Sequence, residues 1–161
     1  MTRFVATVDI EAPAGDVWAL LTDWPAHGRW VPMTAVRVLP PLAPGVGARF
    51  VGRSSLASLG LDRVGFDDPM EVTAWRPPTG TSPGRCEVRK LGRVVTGTAG
   101  FDVVALPAVD GRPATRVVWD EDIEIVPRPL FRLLSPLVSL AGRLAFTATL
   151  RTMGRELTSG R

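Results

Sequence analysis

Few side chains in this sequence are able to do chemistry. Its 161 residues hold one histidine, His27, one cysteine, Cys86, and no tyrosine. One His and one Cys cannot supply the ligand sets of a transition-metal site. A carboxylate-only site could draw on "WDEDIEI", but Asp120, Asp122 and Glu124 alternate on the strand face opposite Trp119. That spacing reads as a solvated outer surface, so neither a metal nor another cofactor is expected. A Ser-His-Asp arrangement would need His27, yet no G-x-S-x-G elbow accompanies it and Ser54-Ser55 falls at a strand end or loop. His27 lies in a helical connection between two tryptophans, where a surface position is expected. Cys86 shares a strand face with Val88 and reads as a small hydrophobe or a pocket wall. No base stands near it in sequence to make it a nucleophile.

Glu121 is the exception. In "RVVWDEDIEIV" it falls on the apolar face, between Trp119 and Ile123. A carboxylate there must be paired, hydrated or protonated. One reading is a strand end where Glu121 reaches water or an arginine. The other is a polar anchor, or a general acid/base, inside a largely apolar pocket, which makes Glu121 the best catalytic candidate.

The elements that must position these groups are legible from periodicity. "RFVATVDIE" alternates, with Phe4, Ala6, Val8 and Ile10 on one face. Pro13 suits a first helical turn, and Val17, Leu20, Leu21 and Trp24 follow at helical spacing before Pro25 ends the helix. A second short helix is expected to Trp30, closed by Pro32. "MTAVRVLP" alternates, "PLAPG" reads as a turn, and "VGARFVGRS" places Val46, Ala48 and Phe50 on one face. "SLASLGLDRVG" reads as an irregular loop, and "FDDPMEVTAW" as a strand. "RCEVRKLGRVVTGTAGFDVVAL" reads as two strands joined at Gly92. Asp110-Gly111 is a strong hairpin signal ahead of the last strand. The closing segment repeats Leu130, Leu133, Leu134, Leu137, Leu140, Ala141, Leu144, Ala148 and Met153 at three- and four-residue steps. It predicts an amphipathic helix, with a kink or a broken first turn at Pro136. Strands joined by short links with helices at the ends imply an α+β fold with an antiparallel sheet. A long helix in its concave face would leave a cavity between the two.

Composition limits the partners. The chain is 45% hydrophobic and 22% charged, as a globular protein is, and 1–161 reads as one domain with no internal repeat. The pI of about 10.3 reflects arginine outnumbering the single lysine, Lys90, at a formal charge of only +3. The arginines form no basic block or stripe, which argues against nucleic acid. No signal peptide or spanning helix is read in the sequence, and a lone cysteine fits a reducing cytosol. The final helix combines its apolar pattern with Arg132, Arg143, Arg151 and Arg155. An interfacial role is the lesser reading of that pattern, because packing against the sheet accounts for it more simply.

The pattern "VDIEAPAGDVWALLTDWPAHGRWVPM" resembles the opening of the START/Bet v 1-like superfamily, in particular bacterial polyketide cyclase/dehydrase and lipid-transport proteins. The carrying residues are Ala12-Pro13 at helix entry, Val17-Trp18, Leu21-Thr22-Asp23, Trp30 and Pro32, with "DPMEVTAW" and the long last helix in support. The resemblance implies a helix-grip fold, about seven antiparallel strands wrapped around the C-terminal helix with two short helices after the first strand. It also implies a hydrophobic tunnel. Trp30, Phe50, Phe101, Trp119, Glu121 and Phe146 are the expected lining, while Trp18 and Trp24 are expected to pack. The expected function is binding of an apolar small molecule, as carrier or sensor. The alternative is a polyketide cyclase, aromatase or dehydratase, which would require at least two polar groups converging in mid-pocket. The absence of tyrosine excludes a tyrosine-assisted mechanism.

Overall fold

The computed structural model describes residues 1–31, 34–40, 43–56 and 61–159. Its strands are β1 (Thr2–Ile10), β2 (Thr34–Leu39), β3 (Arg49–Leu56), β4 (Leu61–Arg76), β5 (Gly84–Leu91), β6 (Val95–Val109) and β7 (Arg112–Ile125). Helices are α1 (Ala14–Thr22), a 3-10 helix (Trp24–Arg29), α2 (Arg128–Leu133) and α3 (Ser135–Ser159). The strands form one antiparallel sheet in the order β1-β7-β6-β5-β4-β3-β2. Each consecutive pair from β2 onward is a hairpin, and β1 closes onto β7, so the first strand lies beside the last.

Local chemistry explains the joints. Asp110 and Gly111 both take positive φ, 51° and 73°, the backbone that a two-residue turn between twisted strands requires. Asp23 caps the 3-10 helix, its carboxylate accepting from the Ala26 N–H at 3.3 Å. Gly97, at φ 124°, sits where a Cβ would collide with the Asp122 carbonyl of the neighbouring strand. Only glycine allows β6 and β7 to pair there.

The concave face carries the core. β1 alternates without exception, burying Phe4, Ala6, Val8 and Ile10. The helix α3 lies along that strand, close enough that Gly142 packs directly on the Phe4 ring and Phe4 meets Phe146 at 5.4 Å. At its far end, α3 is tied to the 3-10 helix. The Trp30 indole N–H donates to Glu156 at 2.5 Å, and Arg29 pairs with the same carboxylate at 3.3 Å.

Three expectations are corrected. The stretch expected to be an irregular loop contributes Leu61–Gly65 to β4, where Leu56 pairs with Leu61; residues 57–60 lie outside the described ones, as do Pro32 and the start of "PLAPG". Val46 is exposed, because β3 begins only at Arg49. The closing segment is broken at Leu134, between α2 and α3, in keeping with the break read at Pro136, which sits in the first turn of α3 where its missing N–H costs nothing. Most consequentially, the apolar face of α3 is only in part the one read from the sequence, Met153 being the member of that series that is buried. Leu137, Leu140 and Leu144 are exposed, whereas Leu150, Met153 and Gly154 are buried. The side chains of Leu130 and Arg132 lie outside the described ones.

Candidate functional site

Between the sheet and α3 lies a cavity of about 290 Å³. Its walls follow from strand register. Along one row of the sheet, Ile123 faces Gly97, Gly97 faces Lys90, Lys90 faces Met70 and Met70 faces Phe50. The next row brings Glu121 opposite Ala99 and Ala99 opposite Val88. Glycine and alanine at the middle of these rows leave the space that larger side chains enclose. From the opposite side, α3 contributes Phe146, Thr149, Leu150 and Met153, and the 3-10 region contributes Trp24, His27 and Trp30.

Of the six predicted lining residues, five border the cavity: Trp30, Phe50, Trp119, Glu121 and Phe146. The sixth, Phe101, does not. It is buried one layer deeper, stacked beneath Trp119 at 5.5 Å and edge-on to Trp18 at 5.7 Å. Its inward strand face was read correctly, but Trp119 on the adjacent strand covers it. The aromatic stack continues upward, with Trp119 on Phe146 at 5.0 Å. Trp24, expected only to pack, also lines the cavity, stacked face to face on Phe50 at 4.3 Å. Trp18 packs as expected.

His27 is half-buried rather than a surface residue. It borders the cavity, and its Nε2 lies 2.8 Å from the Leu21 carbonyl. Burial holds its pKa below the ordinary value of 6.5, against the opposing pull of that hydrogen bond. The neutral ring must therefore carry its proton on Nε2 to donate to Leu21, which leaves Nδ1 unprotonated. Cys86 does not reach the cavity. Burial pushes its thiol up to about 12, which makes it an inert core side chain.

The polar end of the cavity is built from three groups on three strands. Lys90 donates to Asp68 at 2.7 Å and makes a weaker contact with the Met70 sulfur at 3.9 Å. Glu121 is 5% exposed and accepts from the Trp119 indole N–H at 3.3 Å. Desolvation raises its pKa, and the Lys90 charge offsets only part of that. Burial acts to lower the Lys90 pKa, but Glu121 and Asp68 outweigh it and hold the ammonium protonated. Lys90 thus faces two carboxyl groups, Asp68 in direct contact and Glu121 through its charge. Asp68 Oδ1 is buried with no hydrogen-bond partner, and a lysine has three donors. The site can therefore donate from Lys90, accept at Asp68, and either donate or accept at Glu121.

Sequence reasoning placed Glu121 but passed over Lys90 and Asp68. The signal was present: Lys90 alternates with Val88 and Cys86 on the buried face of β5. On the convex side, Asp120 is not simply solvated. It accepts from Arg85 at 2.5 Å, in a cluster with Glu87 and Asp102. No group of residues suited to hold a metal ion occurs among the described residues.

The family described as polyketide cyclase / dehydrase and lipid transport matches residues 1–158. No curated protein matches the chain. Among solved structures, a Thermus thermophilus protein is similar at 17% identity and TM-score 0.69, covering 98% of both chains. An aromatase/cyclase from Streptomyces sp. R1128 is similar at 16% identity and TM-score 0.59, covering 96% of this chain and 94% of its own. A START superfamily protein from Mycobacterium smegmatis follows at 16% identity and TM-score 0.54, covering 95% and 99%. At these identities the likeness is one of fold. The architecture is the helix grip of START and Bet v 1-like proteins.

Proposed function

This chain belongs to the polyketide cyclase / dehydrase and lipid transport family, and on that footing we propose that it binds an apolar small molecule carrying one polar group. The observation that supports this is the cavity itself: aromatic and aliphatic walls, with Lys90, Asp68 and Glu121 converging at one end. At about 290 Å³ it lies at the small end of ligand sites, which favours a compact molecule or one arm of a longer one. The apolar body lies against Trp119, Phe146 and Phe50, and the polar group meets the Lys90 ammonium or the Glu121 carboxyl. The lone buried cysteine is in keeping with a reducing cytosol.

A second reading, an enzyme of the cyclase, aromatase or dehydratase type, is favoured by that same convergence. Glu121, whose pKa burial raises, would supply a proton to a developing oxyanion, and the Lys90 ammonium an electrostatic partner for it.

Titration of the purified protein with fatty acids, a sterol and planar polyaromatic polyketides, followed by tryptophan emission, tests both. Trp24, Trp30 and Trp119 border the cavity, so one class should change the emission saturably. The response should be lost in Trp119→Leu and kept in Trp18→Phe. Turnover of the bound class, abolished in Glu121→Gln with binding retained, moves the assignment to the enzyme. No saturable response from any class overturns the binding proposal.

A further inference from the structure

The face of α3 turned away from the cavity has no partner in the fold. Leu137, Leu140 and Leu144 are 65%, 49% and 59% exposed, and Leu133 at the end of α2 is 79% exposed. Steps of three and four residues put Leu137, Leu140, Leu144, Ala148, Arg151 and Arg155 along one stripe of the helix. Leucines fill its first half and arginines its second. Met1, itself 68% exposed, lies beside this surface, its carbonyl accepting from Ser135 at 3.3 Å.

Up to Arg155 the charge carried by the two helices themselves is of one sign, and of the acids that border the same hollow as Arg151 and Arg155, Asp9 and Glu11, Asp9 is already paired with Arg116. From Ile125 to Arg155 the sequence holds five arginines and not one aspartate or glutamate. Arg128 is engaged by Glu124 at 3.1 Å. Arg143 and Arg151 have no carboxylate within ion-pair distance among the described residues, and Arg155 meets only the Thr152 hydroxyl. A protein helix covering this surface would need both apolar and acidic groups. A second copy of the same face would bring Glu11 against Arg151 and Arg155, with Asp9 already engaged by Arg116; one acid against several arginines is a poor fit.

We infer that the exposed face of α2 and α3 docks on an anionic lipid surface. The leucines enter the acyl boundary while the arginines meet headgroup phosphates and carboxylates, as in interfacial helices. Among the described residues no helix is long and apolar enough to cross a membrane, so the contact is peripheral. The opposite side of α3 bears Phe146, Leu150 and Met153 on the cavity, which places the bilayer one helix diameter from the ligand, about 10 Å.

Flotation with vesicles of phosphatidylglycerol and phosphatidylcholine in equal parts, against phosphatidylcholine alone, tests the docking. The protein is expected to float with the anionic vesicles only and to be released as salt is raised. Leu140→Gln with Leu144→Gln should weaken binding about ten-fold, by removing the inserted area. Arg151→Gln with Arg155→Gln should weaken it roughly twenty-five-fold, at about five-fold per cation, and the paired lysine variant should restore it. All four positions are exposed, so melting temperatures should stay at the wild-type value. Leu137→Gln serves as a replacement should the paired leucine variant melt early. Binding to neutral vesicles alone, variants that float like wild type, or no flotation at all would each overturn the inference. So would a dimer in sedimentation velocity that the leucine variant abolishes. Ligand binding in the cavity is read separately by tryptophan emission, so the two readings fail independently.

Discussion

Lys90 meets Asp68 in a region where each is nearly shielded from water, at 10% and 13% side-chain exposure. Removing one partner leaves the other charge buried and unpaired, which is worth more than the pair itself. Lys90→Met should therefore lower unfolding stability by about 3–5 kcal/mol in urea at neutral pH. Adding Asp68→Leu should recover most of that loss, whereas a loss that persists in the double variant would put the effect in packing. Glu121 predicts a pH dependence of definite sign. Its folded pKa lies above the ordinary 4.5, so below that value both states hold the proton and the group contributes nothing. As pH rises past it, the unfolded chain releases its proton first, and stability falls until the native carboxyl ionises too. Glu121→Gln should thus match wild type near pH 4 and exceed it at pH 8, checked by urea midpoints at both. The site was half legible in the sequence for a related reason. Alternation alone exposed Glu121 as a carboxylate on an apolar face. It could have exposed Lys90 on β5 by the same rule, but nothing local links residue 90 to residue 68, two strands that only the folded register brings together. His27 was misplaced because its ring turns inward toward Trp119 on β7, at 6.4 Å, a contact remote in sequence.

Strands were the more readable elements, because a period of two is decided by one buried face. β1, β5 and β7 follow their predicted alternation, and the Asp110-Gly111 turn falls where it was expected. The helix α3 was misread because its sequence carries two apolar stripes. The leucine stripe is the stronger by hydropathy, yet the buried one is built on small residues. Gly142 and Gly154 let the helix approach Phe4 and Ile10, and glycine and threonine interleaved with Phe146, Leu150 and Met153 dilute the hydrophobic signal of that stripe. That approach is testable. A Cβ at Gly142 would lie 2.6 Å from the Phe4 ring, so Gly142→Ala should destabilise by about 1–3 kcal/mol through overpacking, despite alanine's better helix propensity. At Gly15, in α1, a Cβ would meet nothing within 4 Å. Gly15→Ala should stabilise by about 0.5–1 kcal/mol. Thermal melts of the two variants should move in opposite directions. If both rise, the contact between α3 and β1 is looser than the structure has it.

Closure of the first strand on the last, with α3 then laid back along β1, leaves no segment whose core is its own. Tryptophans sample both ends of this arrangement: Trp18 and Trp75 meet in the core at 5.2 Å, while Trp24, Trp30 and Trp119 border the cavity. If the whole chain is one cooperative unit, far-ultraviolet dichroism and tryptophan emission should report a single coincident transition. A ligand in the cavity touches β3, β6, β7 and α3 at once, so it should move that transition without splitting it. At a hundred-fold excess over its Kd, a ligand that binds only the native state adds about 2.7 kcal/mol. For a domain of this size that raises Tm by roughly 5–10 °C. Two separated transitions, with helical signal lost first and the emission change later, would mean that α3 leaves the sheet before the sheet unfolds. In that event ligand should raise the earlier transition more than the later one, because Phe146, Leu150 and Met153 are the cavity walls that such a detachment removes.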